Sequence, residues 1–413
     1  MVNHSNWRVV VAQPGSREHY AIPRALYRKG MLVKLVTDWY YTPALDKRIE
    51  RLLRRWGGKL ARGALGRRIE ALPDDLVNSW GLHYLTWWLV SRVQALRGVP
   101  HANHMITNKA FGSWVSQLKL PEHDIFCGYC YSSLEALRAE KARGLFTILI
   151  QMDAAEVHER LAQQEMEKWP QYASPVHSTP RAYFDRAKAE WDIADVIIAN
   201  SEWTRSALLE QGVPSQKIAV LPMMYTPPDP SATTSIDTIP PLRVLWVATV
   251  DIAKGIQYLV EAARALEGEP VEFTVAGHIA IKSEAVAAAP GNIRWLGQVP
   301  RSEVKALYRS HHIYVLPTIS DGFAITQLEA LAHGLPVIIT PNCARVVQDG
   351  ETGFVVPPFS AEALTEAISR FVHDPGLAAR MSPRCVEVAN NYSLEAYASR
   401  LISIIQSRMG TAE

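Results

Sequence analysis

The 413-residue chain has four cysteines, too few to staple a fold of this length. Cys343 and Cys385 stand alone in the sequence, and Cys127 and Cys130 form one C-x-x-C. A structural zinc site needs a second such pair. No thioredoxin-like context surrounds it, so the plainer reading is two small thiols at a strand end. No stretch of about 18 apolar residues exists, which excludes a spanning helix. The N-terminus has no basic start followed by an apolar run of secretory length, so a cytoplasmic protein without a signal peptide is expected. A net charge of only +2 argues against a general nucleic-acid binder. No repeat of roughly 20–50 residues is visible.

What is present is ordinary soluble-protein composition, with 48% hydrophobic and 20% charged residues. The length exceeds what one hydrophobic core usually serves, so two domains are expected. In the N-terminal half, WRVVVAQPG, MLVKLVTD, HDIFCGYC, LFTILIQMD and DVIIANS read as short strands. Amphipathic stretches separate them, among them REHYAIPRALYRKG, where Pro23 must lie near the helix start or bend it. The Trp-rich segment 77–96 reads as a buried helix. Residues 227–241 hold five prolines among small polar residues, a linker composition. The alternation then restarts at LRVLWVATV. The expected fold is α/β, two facing Rossmann-like doubly wound domains over 1–226 and 242–393. Ligands in such sheets bind beyond the C-terminal strand ends, which makes the interdomain cleft the natural site.

Charge is unevenly spread. Residues 1–100 carry 17 basic and 7 acidic side chains, and 47–68 alone carry 9 basic against one acidic. Ile49, Leu53, Trp56 and Leu60 recur at helical spacing, with Arg51, Arg54 and Arg55 on the remaining surface. A basic amphipathic helix with a tryptophan reads as a membrane-surface element. Gly57 and Gly58 count against it, and the alternative is a solvated helix packing its stripe on the domain.

The most informative stretch is SDGFAITQLEALAHGLPVIIT, 320–340. A strand ends, a turn holds Asp321 and Gly322, and a helix starts near Ala324 to Thr326. Free N–H groups and the positive dipole end at such a start form a cradle for phosphate. Glu329 lies in an otherwise apolar run, where a carboxylate needs partners. In the plainer reading Asp321 caps the helix and Glu329 is solvated.

This stretch resembles the acidic-x7-acidic motif of retaining glycosyltransferases of family 4, which have the GT-B fold. The resemblance implies that Glu329 holds the donor ribose and that Asp321, a glutamate in the family, contacts the transferred sugar. It also implies that the backbone of Gly322, Phe323 and Ala324 faces that sugar, with Thr326 on the phosphate. VLWVATVDIAKGIQYLVEAARAL, 244–266, is similar to the family's strand, loop and K-G helix, so Lys254 would contact the diphosphate. The family often has an arginine where this chain has Thr249, which removes one clamp; Arg301 could compensate. By resemblance the base rests near Gly277 and against Gln298 and Val299, and Gly15 lies near the donor phosphates. Residues 394–413 would pack back on the first domain. Many relatives have a histidine where this chain reads Gln151-Met152-Asp153, with His158 and His19 nearby in sequence. Asp153 could orient an acceptor hydroxyl or cap a helix.

The resemblance implies transfer of a sugar from a nucleoside-diphosphate donor, UDP-linked, to an acceptor hydroxyl with retained anomeric configuration. A saccharide or lipid-linked acceptor would fit, in cell-surface polysaccharide or glycolipid synthesis, at the inner face of the membrane. No D-x-D occurs in the chain, consistent with no metal site and no cofactor beyond the donor. Two rivals remain. One is another GT-B enzyme, a phosphorylase or nucleotide-sugar epimerase. The other is a non-catalytic scaffold binding anionic membrane or RNA through 47–68, which leaves 320–340 unexplained.

Overall fold

The computed structural model describes residues 7–40, 72–81, 90, 100–174, 179–226 and 240–410. The basic segment 47–68, with Arg51, Arg54, Arg55 and Trp56, lies outside the described residues, as does 227–239 of the linker.

The N-terminal half forms a parallel sheet of β1 (Val9–Gln13), β2 (Leu32–Thr37), β3 (Val77–Ser79), β4 (Ile125–Tyr129), β5 (Phe146–Gln151), β6 (Val196–Ala199) and β7 (Ile218–Val220). Their spatial order is β3-β2-β1-β4-β5-β6-β7. The helices described between them are α1 (Ala21–Arg28), α2 (Pro100–Ser116), α3 (Leu134–Ala142), α4 (Glu156–Lys168), α5 (Arg181–Ile193) and α6 (Glu202–Glu210). β1 and β4 are buried along their whole length. That is why they read as near-continuous apolar runs rather than alternating ones.

Two expectations need correction. The first helix begins only at Ala21; Arg17–Tyr20 form a tight turn in which Glu18, His19 and Tyr20 have φ of 51°, 51° and 57°. Tyr20 is buried with its ring edge-on to Tyr40, and its packing holds the turn open. Pro23 then falls in the first turn of α1, where a missing N–H costs no helical bond. The segment 77–96 does not start as a helix: Val77–Ser79 pair with β2 at the sheet edge, and Trp80 stacks on Trp114 of α2.

The second half repeats the pattern with β8 (Leu242–Val247), α7 (Ile256–Ala265), β9 (Val271–Ala276), α8 (Ser283–Ala287), β10 (Ile293–Gly297), α9 (Arg301–Ser310) and β11 (Ile313–Leu316). It continues with α10 (Ile325–Ala332), β12 (Val337–Ile339), β13 (Gly353–Val355), α11 (Ala361–His373) and α12 (Leu377–Asn390). The strand order is β10-β9-β8-β11-β12-β13. Each sheet reverses its strand order once, between β1 and β4 in the first and between β8 and β11 in the second. Loops at such reversals diverge and leave a crevice. Those four loops carry Gly15, Tyr131, Lys254 and Asp321.

The last helix, α13 (Leu394–Met409), returns to the first domain. Leu394, Tyr397, Ala398, Leu401 and Ile405 join the core under β1, β4 and α1, and Lys29 pairs with Glu395 at 2.6 Å. In the other direction, Tyr172, just past α4, enters the core of the second domain. Leu401 is 2% exposed. Leu401→Ala should lower stability by about 2–5 kcal/mol, read as an earlier denaturation midpoint; an unchanged midpoint would show that α13 does not anchor the two halves.

Candidate active site

The second domain builds its part of the site from two loops. After β8, the Asp251 side chain accepts the Lys254 N–H at 2.8 Å and shapes a tight turn. After β11, Asp321 begins the approach to α10. Its Oδ1 accepts the N–H groups of Phe323 and Ala324 at 3.1 and 3.0 Å. Its Oδ2 accepts from the Lys254 ammonium at 2.5 Å. Burial favours the neutral carboxyl of Asp321, but Lys254 and those N–H groups outweigh it and hold the group below the usual aspartate range. Burial likewise opposes the Lys254 charge, and Asp321, backed by Asp251, keeps that ammonium above the usual lysine range.

Glu329 lies on α10 at the wall of a cavity of about 610 Å³ that also touches Tyr225, Arg301, Lys305, Ile325 and His333. Tyr308 donates to Glu329 Oε2 at 3.0 Å. Burial pushes the Glu329 carboxyl up, against Tyr308, Arg301 and Lys305, which favour its charge. The opposite wall is the strained turn before α1. Glu18 accepts from the Tyr129 hydroxyl at 3.0 Å and is pushed up to about 7 by burial. His19 Nε2 meets Arg301 Nη2 at 2.7 Å across the cleft.

A second cavity, about 240 Å³, lies between Lys254, Ser320, Asp321 and Gly322 on one side and Tyr131, Asp153, His158 and Tyr183 on the other. Asp153 Oδ1 accepts from Tyr131 at 2.6 Å, from Gln151 at 3.1 Å and from the Ala155 N–H at 3.0 Å. Its carboxylate therefore holds the turn into α4. Tyr131 and Tyr183 stack with ring centroids 4.1 Å apart.

The halves meet at the Asp321 loop. The Ser201 hydroxyl donates to the Gly322 carbonyl oxygen at 2.5 Å, and Trp203 donates to the Ser320 hydroxyl at 3.2 Å. A Cβ on Gly322 would stand 1.8 Å from the Met152 carbonyl oxygen. Behind this contact, Tyr258 and Gln257 of α7 donate to Glu165 of α4 at 2.5 and 3.1 Å.

The second domain matches a known family. Residues 241–374 match the family described as Glycosyl transferases group 1. A Rhizobium leguminosarum lipopolysaccharide core biosynthesis mannosyltransferase is 34% identical over 172 residues, which are 38% of this chain and 48% of the relative. An alpha-D-kanosaminyltransferase of Streptomyces kanamyceticus is 28% identical over 171 residues, 39% of this chain and 44% of the relative. The chain thus spans about half the length of these curated relatives. Whole-chain likeness comes from structures. A Thermosynechococcus elongatus sucrose-phosphate synthase aligns at TM-score 0.61 and 16% identity, covering 98% of this chain and 100% of that one. Anabaena HepE, solved with UDP and glucose, aligns at 0.58 and 13%, covering 97% and 100%. The fold is GT-B.

Several of the other residues read from the sequence have their hydrogen bonds made within the fold. Thr326 Oγ1 accepts from Tyr314 at 2.6 Å. The Gly15 N–H donates to Asp38 at 2.8 Å, and the Gly277 N–H to the Gly297 carbonyl at 2.8 Å. The Thr249 carbonyl accepts the Asp251 N–H at 3.1 Å, while Gln298 and Val299 lie between β10 and α9. Sequence reasoning missed Tyr131, Tyr183, Ser201 and Arg17. Arg17 lies within electrostatic reach of Asp153 and Tyr183. The proximity of Gly15 to Arg17 was the available signal, since a cation beside a glycine loop suits an anion. Gly322→Ala should leave each domain folded but hold the two apart. Turnover should then fall steeply with little change in melting temperature, and full activity would show that this contact is dispensable.

Proposed function

We propose that the protein is a retaining, metal-independent glycosyltransferase of family 4. It moves a sugar from a nucleoside-diphosphate donor, UDP-linked, to a hydroxyl of a saccharide or lipid-linked acceptor in cell-surface polysaccharide or glycolipid synthesis. The observation that carries this reading is the Lys254 ammonium, set beside the start of α10 and facing Asp153 across the smaller cavity. A cation at a helix N-terminus is misplaced for the helix dipole and well placed for a leaving diphosphate. The HepE structure with UDP and glucose supports a UDP donor, and the mannosyltransferase relative supports a lipopolysaccharide-like product.

In this reading the nucleoside occupies the larger cavity. Glu329 accepts from the ribose hydroxyls, its second oxygen oriented by Tyr308. Lys254 stabilises charge on the departing phosphate, an effect already organised before reaction; the Phe323 and Ala324 N–H groups, expected to face the donor, are taken up by Asp321. Asp153, held by Tyr131 and Gln151, aligns the acceptor hydroxyl with the anomeric carbon. A transfer assay on nucleotide sugars tests the scheme. The product should keep the donor's anomeric configuration, and an inverted product overturns it. Lys254→Ala should slow turnover on the order of a hundredfold, and Glu329→Gln should weaken donor binding with the fold intact. A silent Lys254→Ala would leave the lysine as a structural partner of Asp321 with no part in turnover.

The segment 47–68 is proposed as a peripheral contact with anionic membrane on the inner face. Among the described residues no helix is long and apolar enough to cross a bilayer. Each Lys or Arg near an anionic surface contributes about 1 kcal/mol. Vesicles with anionic lipid should sediment the wild type, with binding that weakens as salt rises. Changing Arg51, Arg54 and Arg55 together to Gln should reduce it. Equal sedimentation of both proteins removes the segment from this role.

A further inference from the structure

The glycosyltransferase reading, on which the following inference rests, gives Asp153 the acceptor hydroxyl. We infer that α5 works through Tyr131 to aim that carboxylate: Tyr131 and Glu190 are positioning residues that fix Asp153 Oδ1 within the fold and leave Oδ2 to the acceptor. Tyr131 follows β4 with φ of 69°, a left-handed backbone that a bulky residue keeps only where its surroundings enforce it. Three side chains of α5 enforce it here. Glu190 Oε2 accepts the Tyr131 N–H at 2.6 Å, and Arg186 Nε donates to the Tyr131 carbonyl at 2.6 Å. Tyr183 stacks on the Tyr131 ring with centroids 4.1 Å apart. Positions 183, 186 and 190 are spaced by three and four, so they share one face of the helix. One helical stripe thus serves the N–H, the C=O and the ring of a single residue.

Capping of α3 accounts for only part of Glu190. Its Oε1 accepts the Ser133 N–H at 2.9 Å, at the residue before α3 starts, but Tyr131 lies outside that helix. Arg186 is held in turn by Glu135 through bonds of 2.8 and 2.6 Å. Gly112 of α2 packs so closely over this pair that a Cβ would lie 2.3 Å from Glu135 Oε2. The arrangement ends at Asp153. The Tyr131 hydroxyl donates to Asp153 Oδ1 at 2.6 Å, beside Gln151 Nε2 at 3.1 Å and the Ala155 N–H at 3.0 Å. Trp191, next to Glu190 on α5, donates to Gln151 Oε1 at 3.0 Å, which turns the amide nitrogen of Gln151 toward Asp153. Oδ1 therefore has three donors, while no described residue donates to Oδ2. Rotation of the carboxylate would break all three bonds at once. Because Asp153 lines the smaller cavity opposite Lys254, the oxygen left over is the one a substrate hydroxyl can use.

The test uses Tyr131→Phe, which keeps the stacked ring and removes the hydroxyl. At matched melting temperature, kcat/KM for the acceptor should fall roughly 10- to 100-fold, the effect of one hydrogen bond to a charged group, with donor KM changed by less than about twofold. In an Asp153→Asn background the same substitution should cost less than about twofold, because residues acting through one another are not additive. Glu190→Gln, which sets an amide nitrogen against a backbone N–H, should reproduce the loss toward the acceptor. Hydrogen exchange at the Ala155 amide needs no substrate and should quicken in Tyr131→Phe while the sheet keeps its protection. Wild-type acceptor kinetics in either variant, additive losses with Asp153→Asn, a donor KM that moves as far as the acceptor's, or unchanged Ala155 exchange each overturns the inference. Should Glu190→Gln fail to fold, Arg186→Lys, which cannot hold Tyr131 and Glu135 together, takes its place under the same criteria. Wild type that transfers no sugar, with Ala155 exchange quickened as expected in Tyr131→Phe, overturns the enzymatic reading and leaves the positioning of Asp153 intact.

Discussion

A charged lysine inside a protein needs a counter-charge, and at this site that constraint ties together two loops, one helix start and one domain interface. Lys254 and Asp321 meet at 2.5 Å, each holding the other ionised against burial. Because Asp321 also accepts the Phe323 and Ala324 N–H groups, the pair shapes the loop that leads into α10. Because Gly322 follows directly, it also sets the backbone that the first domain grips through Ser201. Burial, capping and closure thus depend on one carboxylate.

The closed arrangement divides the cleft. One cavity holds Glu329, Tyr308 and Arg301 with the strained Glu18–His19 turn over it. The other holds Lys254 and Asp321 against Asp153 and the stacked tyrosines. Backbone strain of the kind seen at Glu18, His19 and Tyr20 persists only where the surroundings enforce it. Here the enforcing contacts are the buried Tyr20 ring and the Tyr129 hydroxyl on Glu18. Charge is distributed accordingly. Arg301 and Lys305 face the Glu329 carboxylate in one chamber, and in the other Lys254 pairs with Asp321 while Asp153 lines the opposite side.

Much of this was legible from residue order. The apolar strands of the two sheets and the helix that carries Glu329 follow from local pattern, because parallel strands buried on both faces and helix starts leave strong signals in sequence. The limits were local too. REHYAIP carries helical periodicity, yet its first turn is broken by three left-handed residues, since tertiary packing of Tyr20 overrides propensity. VNS at the start of 77–96 became an edge strand because β2 offered it a partner.

The sequence by itself determined the fold class and which side chains could serve as cation, carboxylates and close-approach glycine, since those depend on residue type and spacing. What tertiary structure alone decided is how they are used. Which groups Asp321 meets is settled by its own loop and by a lysine 67 positions away in the chain. Whether Asp153 faces the same cavity as Lys254 is settled by the packing of one domain on the other. Contacts between residues so far apart in sequence leave no periodic trace, because each is an accident of how two independently patterned sheets pack face to face.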